Sequence, residues 1–392
     1  MDSKVIVVQV SKELNLDERI NDGTVTKRWI LETLHGKSNR FDRLRHEHSV
    51  QKIVYTSKGD NENNLFDGRV AIHFDGTKKL FEVCMKRDDS LSIQQDIKFY
   101  KFIGERYKNM RFPKIYGYKV ENRRNGRRLS DFFLFDLKAK ENEESKEKGC
   151  VLMGEFEGVT CEVGQGFSIN QSLHIMVEMA RFHAFTLYIP DSNKVLKEFK
   201  KDGRHLIHRE DLLDLIKGFD QEYYNANKSS FSHLMKEAAH TNLILHGIPN
   251  VIIHGSLCTD SIYLRKNQNG HKEGDTISFV DWSKCHTNLG MVDVIRFTLV
   301  NTSSNVQKMC MERFLKIHHD TMKIELKKYK VSFDYDFESV KQTYRAVFPI
   351  QLVYSITRLI NSYKNNPKED AKVSVLDRIK GGVDIFKKLY DC

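Results

Sequence analysis

Proline and glycine are scarce, at 5 and 22 of 392 residues, and this excludes collagen-like and low-complexity chains. Cysteine numbers 7, yet Cys84, Cys150, Cys161, Cys258, Cys285, Cys310 and Cys392 form no CxxC pair and no Cys/His ligand spacing. Neither a zinc site nor a disulfide framework is indicated, so the thiols read as those of a reduced protein. Apolar runs are short: FVDW and VIIH fall far below the roughly 20 residues of a membrane helix. The opening MDSKVIVVQVSKELN has no basic segment, long apolar stretch or small-residue cleavage site, and does not read as a secretory leader. No internal repeat and no Gly/Ser/Pro linker is visible. These absences lead to the expectation of a cytoplasmic protein without a membrane span.

What is present is ordinary in amount. Hydrophobic residues make up 40% and charged residues 30%, over a length that suits two domains with cores needing no cross-links. Lys+Arg exceed Asp+Glu by 63 − 53 = 10. A basic balance suits phosphates, acidic partners or membrane surfaces without demonstrating any of them. Nucleic-acid binding ranks last, because no fold motif and no basic–aromatic interleaving accompanies the charge.

The pattern changes character along the chain. SVQKIVYTS, GRVAIHF and KLFEVCMKR are short β-branched and aromatic runs, and Asp75-Gly76 marks a turn between the second and third. SLSIQQDIKFYKFIGERY reads as one helix, with Ser90 or Ser92 as its N-cap and Ile93, Ile97, Tyr100 and Phe102–Ile103 on one face. PKIYGYKVEN and SDFFLFDLKA read as strands joined at Asn125-Gly126, the acidic-basic ENEESKEK as a loop, and GCVLMGEFEG as a further strand. From Ser168 the periodicity is helical, interrupted by two strand-like islands, NVIIHGSLCTDSIYLR and DTISFVDWSK, that suggest a small central hairpin. The expectation is an α+β chain in three parts. Residues 1–45 form a helical extension, 46–157 an antiparallel sheet with one helix, and 158–392 a helical lobe.

The order of polar signals is more informative than any one of them. Lys86 ends the strand FEVCMK and Asp96 lies on the next helix, an arrangement in which an acid orients a phosphate-binding lysine. Further on comes His254-Gly255-Ser256-Leu257-Cys258-Thr259-Asp260-Ser261, and then the strand end Asp281-Trp282-Ser283. This is the frame of H-x-D-L-x-x-x-N followed by a metal-binding Asp.

With these markers the chain resembles the CHK kinase-like (ecdysteroid-kinase-like) proteins of nematodes and insects, relatives of choline kinases and aminoglycoside phosphotransferases. MARFHA (Met179 to Ala184), the D-I-K-F-Y helix and D-V-I-R-F (Asp293 to Phe297) add to the resemblance, which runs from about Thr26 onward. It implies a bilobal protein-kinase-like fold of the aminoglycoside phosphotransferase type. The implied activity is ATP- and Mg²⁺-dependent phosphorylation of a small-molecule hydroxyl. Lys86 and Asp96 would then serve the nucleotide, and Asp281 and Ser261 the metal. His254, Ser256 and Asp260 would occupy the catalytic loop.

The sequence departs from that pattern at the reacting positions. Ser256 stands where the resemblance calls for the catalytic Asp, and Ser261 where it calls for the metal-binding Asn. A serine hydroxyl cannot accept a proton as a carboxylate does, a loss of roughly 10²–10⁴-fold. The candidate phosphate-covering loop Gly59–Asn64 offers one glycine and two carboxylates, which would repel a nucleotide. The reading is therefore a pseudokinase, or a strongly impaired small-molecule phosphotransferase, that acts by binding a small molecule. The alternative is an active kinase in which Asp260 or the substrate assists proton transfer. Outside this frame Lys86 is a strand-end lysine, Asp96 a helix-dipole acid, Trp282 core, and His254 and His183 structural histidines. Cys258 replaces the usual Trp as a smaller packing residue, and nothing beside Cys285 supports redox chemistry.

Overall fold

A computed structural model describes residues 14–20, 25–57, 68–110, 112–120, 148–154, 160–161, 164–199, 210–239, 247–266, 272–365 and 367–391. The expected loop Gly59–Asn64, the Asn125-Gly126 turn, the strand SDFFLFDLKA and most of ENEESKEK lie outside these residues, as do the first residues and Cys392. The chain forms two compact units, one of residues 1–105 with 112–157 and one of residues 106–111 with 158–392.

The first unit begins with a short ribbon of β1 (Arg19–Ile20) and β2 (Val25–Thr26), then α1 (Lys27–Leu34) and α2 (Asn39–Glu47). Thr26 and Ser38 cap these helices, their hydroxyls accepting from the N–H groups of Trp29 and Phe41. β3 (Val50–Ser57), β4 (Gly68–Phe74), β5 (Leu80–Asp89), β6 (Ile115–Val120) and β7 (Lys148–Gly154) form a five-stranded sheet in the order β3-β4-β5-β7-β6. Every pairing in it is antiparallel. Period-2 alternation sends Val70, Ile72 and Phe74 of β4, and Phe81, Val83 and Met85 of β5, into one core with Ile30, Leu31, Phe41 and Leu44 of α1 and α2. The same alternation turns Cys84 and Lys86 to the other face of β5.

α3 (Ser90–Phe99) follows β5 directly and packs on β5 and β7. Its N-cap is Asp89, and neither Ser90 nor Ser92 as the sequence suggests: the Asp89 carboxylate accepts from the N–H groups of Leu91 and Ser92 and from the Ser92 hydroxyl. A carboxylate at this position also meets the positive end of the helix dipole. The helix is shorter than its periodicity predicts, since Tyr100–Gly104 winds as a π-turn.

The second unit is mainly helical: α4 (Ile169–Tyr188), α5 (Ser192–Glu198), α6 (Glu210–Phe219), α7 (Gln221–Ala226) and α8 (Lys228–Ala239). A capping box between Ser168 and Gln171 starts α4. Two antiparallel ribbons follow in place of the single expected hairpin. β8 (Asn250–Ile253) pairs with β11 (His286–Leu289), and β9 (Ile262–Lys266) pairs with β10 (Lys272–Phe279). α9 (Met291–Asn301), α10 (Ser304–Lys328), α11 (Phe337–Asn365) and α12 (Glu369–Tyr390) complete the unit. All 11 residues of α9 are buried, so it is a core helix, apolar all round except for Asp293, Arg296, Thr298 and Asn301. Pro349 lies inside α11 and cannot donate to the Arg345 carbonyl, and the Tyr390 hydroxyl of α12 donates to that carbonyl instead, at 2.5 Å. No helix among the described residues is long and apolar enough to cross a membrane.

Candidate active site

In the first unit, Lys86 and Asp96 are brought together. The lysine Nζ donates to Asp96 Oδ2 at 2.5 Å, with the two residues 3% and 1% exposed. β5 holds Lys86 opposite Val151 of β7, and α3 carries Asp96 back over the strand. A buried ion pair is a poor means of gaining stability, because desolvating both charges costs about as much as their attraction returns. Its presence on the helix-covered face of a small sheet calls for a reason beyond packing.

In the second unit the loop His254–Ser261 is tied to the end of β10. The Val280 N–H donates to the Ser261 carbonyl at 2.9 Å, and His254 Nε2 donates to the Val280 carbonyl at 2.9 Å. Both polar groups of Val280 are thus held by the loop, which places the next residue, Asp281, at its edge. Asp281 takes the left-handed conformation at φ 65°, uncommon for a residue with a side chain. Its half-buried carboxylate accepts from the Ser283 hydroxyl at 2.6 Å. Trp282 lies against the His254 ring (4.6 Å between centroids) and against Phe182 (4.8 Å), and its indole N–H donates to the Phe279 carbonyl. It is wholly buried.

The loop backbone is fixed from beneath by α9 and α11. Asp293 accepts from the N–H groups of His254 (2.6 Å) and Gly255 (2.9 Å). Burial alone would raise its carboxyl, but the His183 contact, the His183 and His254 imidazoles and the Gly255 N–H outweigh this and bring it to about 2. Arg296 donates to the Gly255 carbonyl at 2.6 Å and to Gln351 at 2.7 Å, and its guanidinium lies 3.8 Å over the Tyr354 ring. Tyr354 donates to the same carbonyl at 3.1 Å. Gly255 has φ +81°, and a Cβ there would come 2.4 Å from the Lys284 carbonyl, so only glycine fits. Asn301 holds the Leu257 carbonyl at 3.0 Å.

Of the loop's polar side chains, Ser256 and Ser261 are buried and Asp260 is partly exposed. Ser261 is wholly buried, and its hydroxyl donates to the Cys258 carbonyl and accepts from the Cys258 N–H, each at 2.9 Å. It is a loop brace. Asp260 takes the Cys258 thiol at 2.8 Å, and Arg358 of α11 approaches that sulfur at 3.3 Å. Burial and the Asp260 charge push the thiol up to about 12, against the pull of Arg358, so it stays protonated and donates. Ser256 lies at the loop centre, its N–H directed at His254 Nδ1. Asp293, Arg296, Gln351, Tyr354 and Asn301 were not legible as loop supports. Asp293 and Arg296 stood out only within D-V-I-R-F, and their partners lie 38 to 55 positions away.

Among the described residues no group of three or more His, Cys, Asp or Glu is arranged to hold a metal. Mg²⁺ at phosphates needs fewer protein ligands, usually one or two carboxylates. Asp281 fits that requirement, whereas the Ser261 hydroxyl is already engaged.

A family profile described as "uncharacterized oxidoreductase dhs-27" (DUF1679) matches residues 77–381, and the chain belongs to this family. The described strands show no parallel sheet of the dinucleotide-binding kind to accompany that description. No curated protein matches the sequence significantly. Among solved structures, a putative aminoglycoside phosphotransferase from Ralstonia eutropha JMP134 is similar at 12% identity and TM-score 0.49, over 92% of this chain and 97% of that one. A Plasmodium vivax ethanolamine kinase matches at 10% identity and TM-score 0.42, over 92% and 89%. A thermostable mutant of aminoglycoside phosphotransferase APH(4)-Ia, in ternary complex with ADP and hygromycin B, matches at 12% and 0.40, over 87% and 98%. At these values the likenesses fix neither substrate nor activity.

Proposed function

We propose that this chain is a CHK kinase-like protein that keeps a nucleotide site, lacks efficient phosphoryl transfer, and works by binding a small molecule. The observation that carries this reading is the state of the His254–Ser261 loop. Its scaffold is complete, while Ser256 offers no carboxylate, Ser261 is consumed by Cys258 and Asp260 accepts the Cys258 thiol. Lys86, oriented by Asp96, is the ligand of the ATP phosphates, and Asp281 is the ligand of Mg²⁺. When bound, the metal supplies neutralisation of phosphate charge. The expected setting is the cytoplasm, and the partner a small-molecule ligand rather than nucleic acid.

A thermal-shift titration with ATP, with and without Mg²⁺, tests this. A ligand at one hundred times its Kd stabilises by about 2.7 kcal/mol. The expected result is a magnesium-dependent rise in Tm that Asp281→Ala abolishes, with no turnover on hydroxyl compounds. No shift at millimolar ATP would remove the nucleotide from the reading.

A second reading, an active kinase, is favoured by one observation: Asp260 remains half-exposed on the loop. Phosphoryl transfer through a loose transition state needs little help from a base. In that case turnover appears and falls sharply in Asp260→Ala.

A further inference from the structure

Behind the loop runs a line of buried polar groups that the nucleotide reading does not use. His318 of α10 lines a cavity of about 10 Å³, walled by Ile248, Val251, Met291, Met322 and Val340 and with room for about one water. His318 Nε2 lies 2.9 Å from His183 Nδ1, and His183 Nε2 lies 3.4 Å from Asp293 Oδ2. Asp293 in turn holds the N–H groups of His254 and Gly255. All these side chains are buried. Gly290 makes room for the two rings, since a Cβ there would stand 2.8 Å from His183 Nδ1.

We propose that His318 and His183 are positioning residues: through Asp293 they fix the two N–H groups beside Ser256, and the loop loses this geometry when the ring pair takes up a proton. Burial and the His183 ring hold His318 well below its ordinary 6.5, against the attraction of Asp293. The unfolded or opened chain therefore binds a proton that the closed loop does not, and the closed form weakens as pH falls below 6.5. The titratable groups facing His318 are His183 from α4, Asp293 from α9, His319 on its own helix and Tyr335 across the cavity, where β8 and α11 present only Val251 and Val340.

The test is independent of nucleotide binding. The chain has 2 tryptophans, and in a Trp29→Phe background Trp282, whose ring lies tilted against His254, reports the loop alone. Its fluorescence should be constant from pH 8 to 6.5 and change below, and His318→Gln should lose that step while far-UV circular dichroism stays native. An identical step in His318→Gln, or none down to pH 4, overturns the proposal. Should that variant fail to fold, histidine ¹⁵N NMR of the unaltered protein decides. His318 must be neutral at pH 7 and titrate together with the Trp282 signal; a charged His318 at pH 7, or titration apart from that signal, overturns it.

Discussion

The Lys86–Asp96 pair and the His254–Ser261 loop have kept different things. The first keeps its charged side chains, in contact and out of water. The second keeps its frame, with Gly255 in a left-handed turn and Asp293 and Arg296 bracing its backbone, while its hydroxyl side chains at 256 and 261 are serines. A frame is held by many contacts, and one substitution at its centre leaves them intact.

The sharpest way to break this contrast is Ser256→Asp. If the frame is still that of a catalytic loop, the restored carboxylate should raise phosphoryl transfer by roughly 10²–10⁴-fold, read as ADP release with a hydroxyl acceptor. A flat result would mean that the frame serves binding only.

Next in size is Asp293→Ala, which strands two loop N–H groups and His183 in the core. Urea denaturation should show a loss of about 3–5 kcal/mol.

Lys86→Met should cost about 3 kcal/mol by leaving the buried Asp96 carboxylate without its lysine, whereas Lys86→Met with Asp96→Leu should recover most of it. A double variant no better than the single would show that Asp96 has other work in the first unit.

Acidification separates the regions again. The Asp293 carboxyl, held at about 2 against an ordinary 3.8, contributes stability that is complete above 3.8 and lost as pH falls through 2. Its slope is up to about 1.4 kcal/mol per pH unit. Denaturation between pH 5 and 2 should show that slope, and Asp293→Asn should remove it.

The smallest effect is Tyr390→Phe, which frees the Arg345 carbonyl at a partly exposed site and should cost about 0.5–1 kcal/mol by urea denaturation.

Much of the fold was legible because it rests on local pattern. β4 spans the run GRVAIHF, and the long helices α10, α11 and α12 fall where the 3.6-residue period places them. Two details were lost, one to short-range competition and one to a strand partner distant in sequence. Asp89 outcompetes both serines as a cap because its carboxylate reaches two N–H groups and the Ser92 hydroxyl. The strand HTNL has no alternation to announce it and exists because β8 lies opposite. At the site, the order of Lys86, Asp96, His254 and Asp281 was readable from motif spacing, but what each loop residue touches was not. That Ser261 is spent on Cys258, and that Asp293 carries the loop from 39 positions away, are properties of tertiary contact.

Pro349 gives the second unit a dependence on assembly order. α11 emerges from synthesis with the Arg345 carbonyl lacking its helical partner, and the group that takes it up, on Tyr390, is made 45 residues later. Until α12 docks, that carbonyl has only solvent to turn to. α11 and α12 should therefore behave as one exchange unit: amides on both sides of Pro349 should lose protection together, rather than α12 fraying alone.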